Sequence, residues 1–265
     1  TIINTSSTDQ TYYLDTLVFV ANSETGTPQF LTKNEDHSGL SEWIKFFSST
    51  VTVPALSKGD VPFEIFIPDT AESGGHYAAI TVSSAPEDVV ATNGAIIEAK
   101  TAVLVLLSVE GQTGITAELL DFTEKTTNFL QSLIEGTYEY RIQNQGNVHI
   151  LPVGTVSFKD IFGRIVRSVD ANNGEGRVLP GSTRTYSVEI MSDAQGWVDT
   201  LKEQMQMFAF GPITAVLDLE YGDEQELDSE IKTFWILPWE LISTLIGLIV
   251  LLMIMYRLGK RKRNR

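Results

Sequence analysis

The chain contains no cysteine among its 265 residues. Disulfide bonds, thiolate metal ligands and a cysteine nucleophile are therefore excluded by composition. A domain of this chain that folds outside the cell must be stabilised by its hydrophobic core alone. Two domains of roughly a hundred residues each are large enough for that. Extracellular domains without disulfides are more typical of bacteria than of animals.

Histidine is scarce, and the spacings that catalytic and metal sites require are missing. His37, His76 and His149 are far apart, and none belongs to an HExxH motif. The sequence has no G-x-S-x-G, no P-loop and no G-x-G-x-x-G after a predicted strand. We therefore expect no enzymatic activity, no metal and no cofactor, and we interpret the histidines as turn or packing residues.

Basic residues are few outside the C-terminal tail. The chain has 19 Lys and Arg against 34 Asp and Glu, which gives a net charge of −15. Six of the basic residues lie in the last nine positions, so the rest of the chain carries 13 basic residues and a net charge of −21. Such a surface repels nucleic acid, and we expect no nucleic-acid partner. It attracts basic partners, although a solvated acidic surface also serves solubility.

Long apolar runs are absent except for one near the C-terminus. Residues 239–256 carry a single charge, that of Glu240, and span about 27 Å as a helix, close to the hydrocarbon thickness of a bilayer. Aromatic residues lie at both ends of the run, where they favour the headgroup layer. We predict a transmembrane helix over 235–256. Its predicted membrane-interface residues are Trp235, Trp239, Tyr256, Arg257, Lys260 and Arg261.

The basic tail over 257–265 sets the predicted orientation. Lys and Arg beside a membrane helix stay on the cytoplasmic side, so the N-terminal bulk should face outward from the plasma membrane. The lipid bilayer is then one expected partner of a single-pass protein. Because the chain begins at Thr1 without an apolar leader, we also expect that a secretory signal peptide has been removed.

Before the C-terminal run, alternation of apolar and polar residues replaces helical periodicity. Residues 61–67, 77–82 and 138–142 alternate as half-buried strands do. Residues 102–109 are apolar on both faces, which predicts a central strand. This pattern predicts an all-β chain of two tandem antiparallel Ig-like β-sandwich domains followed by one C-terminal transmembrane helix.

Short helices are predicted only as connections, over residues 41–47, 126–134 and 194–207. A last hairpin, with strands over 214–221 and 226–235, leads almost directly into the membrane helix and should hold the second domain near the bilayer. The predicted divisions are a flexible N-terminus over 1–10, a distal sandwich over 11–118, a membrane-proximal sandwich over 119–234, the helix over 235–256 and the tail over 257–265.

Two stretches resemble the WxL-interacting protein family of bacterial surfaces. Residues 41–82 contain Trp43, a strand that ends at Pro68-Asp69, and Gly74-Gly75-His76-Tyr77 before small residues. Residues 140–166 (YRIQNQGNVHILPVGTVSFKDIFGRIV) are followed by VLPGSTRTYSV and FAFGPITAVLDLEYG. The resemblance implies two Ig-like domains, one membrane helix and a short tail. It further implies that the distal domain binds peptidoglycan and the second a host or partner protein, without assigning binding residues.

Two classes of function remain open at this point. In the first, the protein binds cell-wall glycan or another surface protein as an adhesion module. In the second, it is an accessory or scaffold subunit of a larger membrane protein complex. The small residues Ser243 and Gly247 are spaced for close helix packing, which suits the second class. The oligomeric state is not specified by either.

A few residues are singled out for local roles. Acidic residues of the last hairpin are candidates for docking a basic partner or a divalent ion, with a solvated turn as the alternative. Residues 170–175 resemble a calcium loop loosely, and we interpret them as a hairpin turn. Trp43 and Tyr77 are expected to anchor the core, and Asn144 and Asn147 to bind free backbone groups of a turn. The candidate docking residues are Asp223, Glu224, Glu226 and Asp228.

Overall fold

The structure is a computed structural model that describes residues 1–31, 38–85, 100–126, 128–222 and 225–263. These residues form mainly β-strands, with one long C-terminal helix, as the all-β prediction requires. They divide into two compact units. Unit 1 comprises residues 1–117, 144–150 and 178–183, and unit 2 comprises 118–143, 151–177 and the chain from 184 onward. His37 lies outside the described residues.

Unit 1 is organised around one five-stranded sheet. Its strand order is β3-β2-β8-β9, with β5 also paired to β2, and two short pairs, β1-β6 and β4-β7, flank it. The elements are β1 (Ile2–Ile3), β2 (Gln10–Asn22), β3 (Thr27–Phe30), α1 (Leu40–Trp43), β4 (Ile44–Phe46), β5 (Thr50–Val53), β6 (Lys58–Gly59), β7 (Phe63–Ile65), β8 (Gly74–Ser83) and β9 (Lys100–Val109).

The core of unit 1 lies between α1 and the sheet. Leu40 and Ile44 pack against Ala78 and Ile80 of β8, and all four side chains are buried. Small side chains on β8 allow this close approach, so the alternating pattern over 77–82 is confirmed as a strand.

Unit 2 contains two sheets. One has the order β10-β12-β15 and the other β11-β17-β16-β13-β14. The elements are β10 (Ala117–Thr126), β11 (Leu130–Gln131), β12 (Gly136–Asn144), β13 (Val153–Lys159), β14 (Ile165–Asp170), β15 (Thr183–Ile190), α2 (Trp197–Gln206), β16 (Gly211–Tyr221), β17 (Gln225–Ile236) and α3 (Trp239–Arg263).

Aromatic side chains fill the space between the two sheets of unit 2. Tyr138 of β12 meets Phe158 of β13 edge-on, with ring centroids 5.2 Å apart, and both are fully buried. Tyr140 stacks on Tyr186 of the neighbouring strand at 4.8 Å. Burying such rings is the main stabilising contribution available to a unit without disulfides. The predicted strand over 138–142 and the predicted hairpin of β16 and β17 are confirmed.

The start of α3 is bonded to unit 2. Glu240 is only 7 % exposed, and its carboxylate accepts a hydrogen bond from the side-chain amide of Gln204 in α2. The carbonyl oxygen of the same amide accepts from the N–H of Leu241 at 3.0 Å. Beside them, the Trp197 and Trp239 rings meet edge-on at 5.1 Å. The one charge of the apolar run is therefore satisfied inside the protein.

Several predicted elements differ from the structure. The strand over 61–67 is shortened to β7, because Pro62 and Pro68 lack the N–H that pairing requires. The predicted helix over 41–47 ends at Trp43, where β4 begins and pairs with β7. In the described part of 126–134 the chain forms β11 instead of a helix, and β11 runs parallel to β17, so unit 2 is not wholly antiparallel. The helix predicted over 194–207 is confirmed as α2.

The predicted central strand over 102–109 is wrong in its position. β9 pairs with β8 along its whole length, but no other described strand pairs with it. Val103 is 56 % exposed and Leu104 41 %. The pattern of apolar residues shows which faces of a strand are apolar. It does not show whether another strand pairs with the second edge of that strand.

Candidate binding edge

The outer edge of β9 is the most unusual backbone feature of unit 1. Ten residues are paired with β8 on one side, from Lys100 opposite Ser83 to Val109 opposite Gly74. Within the described ranges, the other side of β9 has no strand partner. Alternate N–H and C=O groups of such an edge point outward and are able to pair with another chain.

The side chains of β9 are apolar on both faces. Val105 and Leu107 pack against the core of unit 1, while Leu104 projects from the opposite face and is substantially exposed. No charged residue and no proline occurs between Lys100 and Glu110. Natural edge strands are usually protected by charges, prolines or bulges. β9 has neither a charge nor a proline after Lys100 and is a candidate strand-binding edge.

Trp43 and His76 form a second feature of unit 1. Their ring centroids are 4.5 Å apart, and the His76 Nε2 lies 2.9 Å from the carbonyl oxygen of Glu72. Trp43 is half-buried against the core between α1 and β8. His76 is thus a packing residue, and Trp43 supports the core from its margin.

Tyr77 is held by contacts with two other rings and by a backbone hydrogen bond. Its centroid lies 6.1 Å from that of Phe19 and 5.7 Å from that of His149. Its hydroxyl accepts a hydrogen bond from the backbone N–H of His149 at 2.9 Å. Burial raises the pKa of Tyr77 to about 12, although the hydrogen bond from His149 acts in the opposite direction. A side chain at Gly75 would overlap the hydroxyl, so glycine is required there.

The asparagines around Gly146 act as predicted. The Asn144 amide donates to the carbonyl oxygens of Val148 and Val178 at 2.8 and 2.9 Å. The Asn147 side-chain oxygen accepts from the N–H of Gly114 at 2.8 Å. Both side-chain amides thus bond backbone groups around this turn.

Only part of the predicted acidic docking site can be placed. Asp223 and Glu224 lie outside the described residues. Glu226 and Asp228 are exposed on β17, directly opposite Glu220 and Asp218 of β16. Glu220 belongs to the acidic stretch that the sequence singled out, whereas Asp218 was not selected. The predicted strand bounds pair 221 with 226, one residue away from the observed register. Docking at this site stays a prediction.

The loop over 170–175 does not have the geometry of a cation site. The Asn172 side-chain oxygen accepts from the N–H of Gly176 at 2.8 Å, and its amide nitrogen donates to the carbonyl oxygen of Pro152 at 2.8 Å. Its potential ligand oxygen is thus used to close the turn, as the hairpin interpretation expects. Nowhere in the described chain do three His, Asp or Glu side chains group as metal ligands would.

The predicted membrane-interface residues lie on two elements. Trp235 belongs to β17 and pairs with Leu130, so the helix begins at Trp239 and not at 235. Trp239 is 51 % exposed and Tyr256 72 %. The remaining members follow on the same helix, which continues into the basic tail instead of ending at Tyr256. They are Arg257, Lys260 and Arg261.

Within α3, residues Trp239–Lys260 are long and apolar enough to cross a membrane, judged by length and composition. Beyond its first turn, which contains the buried Glu240, this stretch is not buried within the protein. The structure therefore contains one possible membrane span in its described part.

Comparisons with known proteins give structural neighbours only. No protein-family model and no curated protein matches the chain. A chain from a chaperone–tip adhesin complex of CFA/I fimbriae is 13 % identical, with a TM-score of 0.40 over 86 % of this chain and 88 % of that one. The class 5 fimbrial chaperone CfaA is 14 % identical, with a TM-score of 0.39 over 87 % and 89 %. The CupB2 chaperone of Pseudomonas aeruginosa is 9 % identical, with a TM-score of 0.36 over 88 % and 90 %.

These comparisons correct two predictions. The neighbours are fimbrial chaperones and no family model matches, so the predicted membership of the WxL-interacting protein family is wrong. The predicted function as a membrane-anchored module for cell-wall binding or surface adhesion is wrong as well, and so is the alternative of a scaffold subunit. The resemblance rested on turn and core residues, which many β-sandwiches share for reasons of folding.

Proposed function

We propose that this protein is a membrane-tethered holder of extended polypeptide, which binds an apolar segment of another protein by adding it as a strand to β9. The observation that carries the proposal is the edge of β9 over residues 101–109, which is apolar on both faces and has no second strand partner among the described strands. An added strand would satisfy the outward N–H and C=O groups, as in peptide binding by β-augmentation.

The side chains of β9 define the chemistry of the partner. Val103 and Leu104 project from opposite faces, so an added strand gains apolar cross-strand contacts above and below the sheet. Since the edge has no charge between its ends, it favours a segment whose apolar residues are not interrupted by charge. An unfolded or incompletely paired segment of a surface protein has this character.

The tether in this proposal is α3. It would cross the membrane with its basic end in the cytoplasm, which leaves both units and the β9 edge outside. The proposal also retains the two Ig-like domains and the absence of catalysis expected from the sequence. A holder of polypeptide needs only backbone pairing and apolar contact, and β9 offers both.

Hydrogen–deuterium exchange on the full chain in detergent tests the proposal. The probe is a synthetic peptide of alternating valine and threonine, and its control is the same peptide interrupted by prolines, which cannot pair. We expect the first peptide alone to slow exchange of β9 amides. Leu104→Lys should weaken its binding roughly tenfold, or about 1.4 kcal/mol.

A matched control is Leu120→Lys on β10, because Leu120 is 40 % exposed and Leu104 41 %. The control should bind the peptide as the wild type does. The proposal is overturned if β9 exchange is unchanged by the peptide, or if both lysine variants lose binding equally. It is also overturned if β9 amides are protected in the free protein by dimerisation, which sedimentation would detect.

A further inference from the structure

Exposed apolar side chains of unit 2 concentrate at the end from which α3 emerges. The sheet register identifies that end, since Gly211 pairs with Ile236 there and Lys159 pairs with Ile165. We call the following residues the apolar end; each is between 46 % and 85 % exposed. They are Phe129, Leu130, Ile161, Phe162, Trp197, Val198, Met205, Phe208 and Phe210.

The loop between β13 and β14 presents two of these residues on a fixed frame. The Asp160 carboxylate accepts hydrogen bonds from the backbone N–H groups of Phe162 and Arg164, both at 3.0 Å. It also forms an ion pair with the Arg164 guanidinium at 3.1 Å. Gly163 supplies the positive φ of 76° that closes the loop. Ile161 and Phe162 are therefore held outward, and Phe162 is 85 % exposed.

The loop and α2 are connected. The Arg164 guanidinium donates to the carbonyl oxygen of Phe208, just beyond α2, at 2.6 Å. On α2 itself, Trp197, Leu201 and Met205 follow each other at four-residue spacing and form one stripe. Val198 borders this stripe and is 62 % exposed. The exposed residues thus belong to a joined surface and are not scattered.

This surface is continuous with the start of α3. The Trp197 ring contacts the Trp239 ring, and the N–H of Trp235 donates to the carbonyl oxygen of Phe129 at 2.8 Å. Large exposed apolar patches on otherwise soluble units mark contact surfaces. Aromatic rings in particular favour the boundary between headgroups and acyl chains.

From this continuity we infer that the apolar end of unit 2 is seated in the interfacial layer of the membrane that α3 crosses. The inference rests on the proposed tether, and its partner is the lipid surface itself. Phe162 and Val198 enter the headgroup layer beside Trp239, so unit 2 contacts the bilayer through its loops and α2 as well as through one connection. The arrangement is that of an interfacial amphipathic surface joined to a spanning helix.

Depth-dependent fluorescence quenching tests this inference on the full chain. Because the natural chain has no cysteine, single cysteines are introduced without competition and labelled with an environment-sensitive dye. The variants are Phe162→Cys and Val198→Cys at the apolar end, with Leu248→Cys within α3 to report the tether. Val153→Cys is the matched control, because Val153 is 57 % exposed and lies at the opposite end of the sheet, opposite Glu220.

The labelled proteins are reconstituted in vesicles of phosphatidylcholine and phosphatidylglycerol that carry shallow or deep lipid-bound quenchers. We expect the labels at 162 and 198 to be blue-shifted and to lose most of their fluorescence to the shallow quencher. The label at 248 should respond to the deep quencher, and the label at 153 to neither.

The possible failures are distinguishable. If the deep lipid-bound quencher does not quench the label at 248, α3 does not cross the membrane. The proposed tether is then wrong, and the inference is overturned with it. If 248 is quenched but 162 and 198 behave like 153, the tether stands and the inference is overturned. If the labels at 162 and 198 are shielded only at high protein-to-lipid ratio, a second copy covers the surface, and the lipid assignment is wrong.

Discussion

Tyr77 shows how one side chain fixes a piece of unit 1. Its ring contacts the rings of Phe19 and His149 edge-on, and its hydroxyl accepts a hydrogen bond from the N–H of His149. The sequence predicted an anchor at this position but not the backbone bond, because residue 149 is distant in the chain. Removing the hydroxyl leaves a partly buried N–H without its acceptor.

We expect Tyr77→Phe to lower the free energy of unfolding by about 1–2 kcal/mol, because the N–H loses its partner while the ring contacts remain. Urea unfolding of the full chain, followed by circular dichroism, measures the change. Tyr12→Phe is the control, because Tyr12 is also partly buried and lies on β2 of the same unit. An equal loss in both variants would contradict the role of the bond.

The raised pKa of Tyr77 predicts a dependence on alkaline pH. Its pKa is about 12 in the folded protein against about 10 ordinarily, so the protonated hydroxyl of Tyr77 stabilises the folded state. This stability is complete below pH 10 and is lost as the pH rises from about 10 to about 12. The stability difference between wild type and Tyr77→Phe should shrink over that window. A constant difference up to pH 12 would contradict it.

Among the elements, the hairpin of β16 and β17 carries two pairs of like charges. Asp218 faces Asp228, and Glu220 faces Glu226. Like charges directly opposite each other on a sheet are destabilising, so both pairs weaken the hairpin near its tip. Acidic pairs at this position are compatible with the predicted docking of a basic partner.

Asp228→Lys should stabilise the protein by about 0.5–1 kcal/mol, because a repulsive cross-strand pair becomes attractive. Thermal unfolding at low salt measures the gain, which high salt should reduce. Glu189→Lys, at an exposed position on β15, makes the same change in net charge and is the control. An equal gain in the control would assign the effect to net charge instead of the pair.

Sequence patterns predicted some elements well and others poorly, for physical reasons. The strands around residues 80 and 140, α2 and the last hairpin follow from local alternation, periodicity and turn residues. β9 and β11 were misplaced because their roles depend on neighbours distant in the chain. Phe162 was not selected as a site residue, since an apolar pair in a glycine turn is informative only when its exposure is known.

At the scale of the whole chain, the orientation across the membrane is open to direct test. The basic residues after Tyr256 predict a cytoplasmic C-terminus, and the acidic bulk would then lie outside. Protease added to intact cells should digest the two units and leave a fragment of α3 with its tail. Permeabilised cells should lose the tail as well. Protection of both units in intact cells would contradict the orientation.

The connection between β17 and α3 has a mechanical consequence. Only Leu237 and Pro238 separate the two elements, and the N–H of Leu237 donates to the carbonyl oxygen of Gln131 at 2.8 Å. Gln204 bonds the first turn of α3 from the other side. Because this connection is short and hydrogen-bonded on both sides, unit 2 and α3 should move as one rigid body that pivots at the first turn of the helix. A strand of twelve residues is about 40 Å long, and a tilt of about 20° in the bilayer would sweep the hairpin tip sideways by roughly 14 Å.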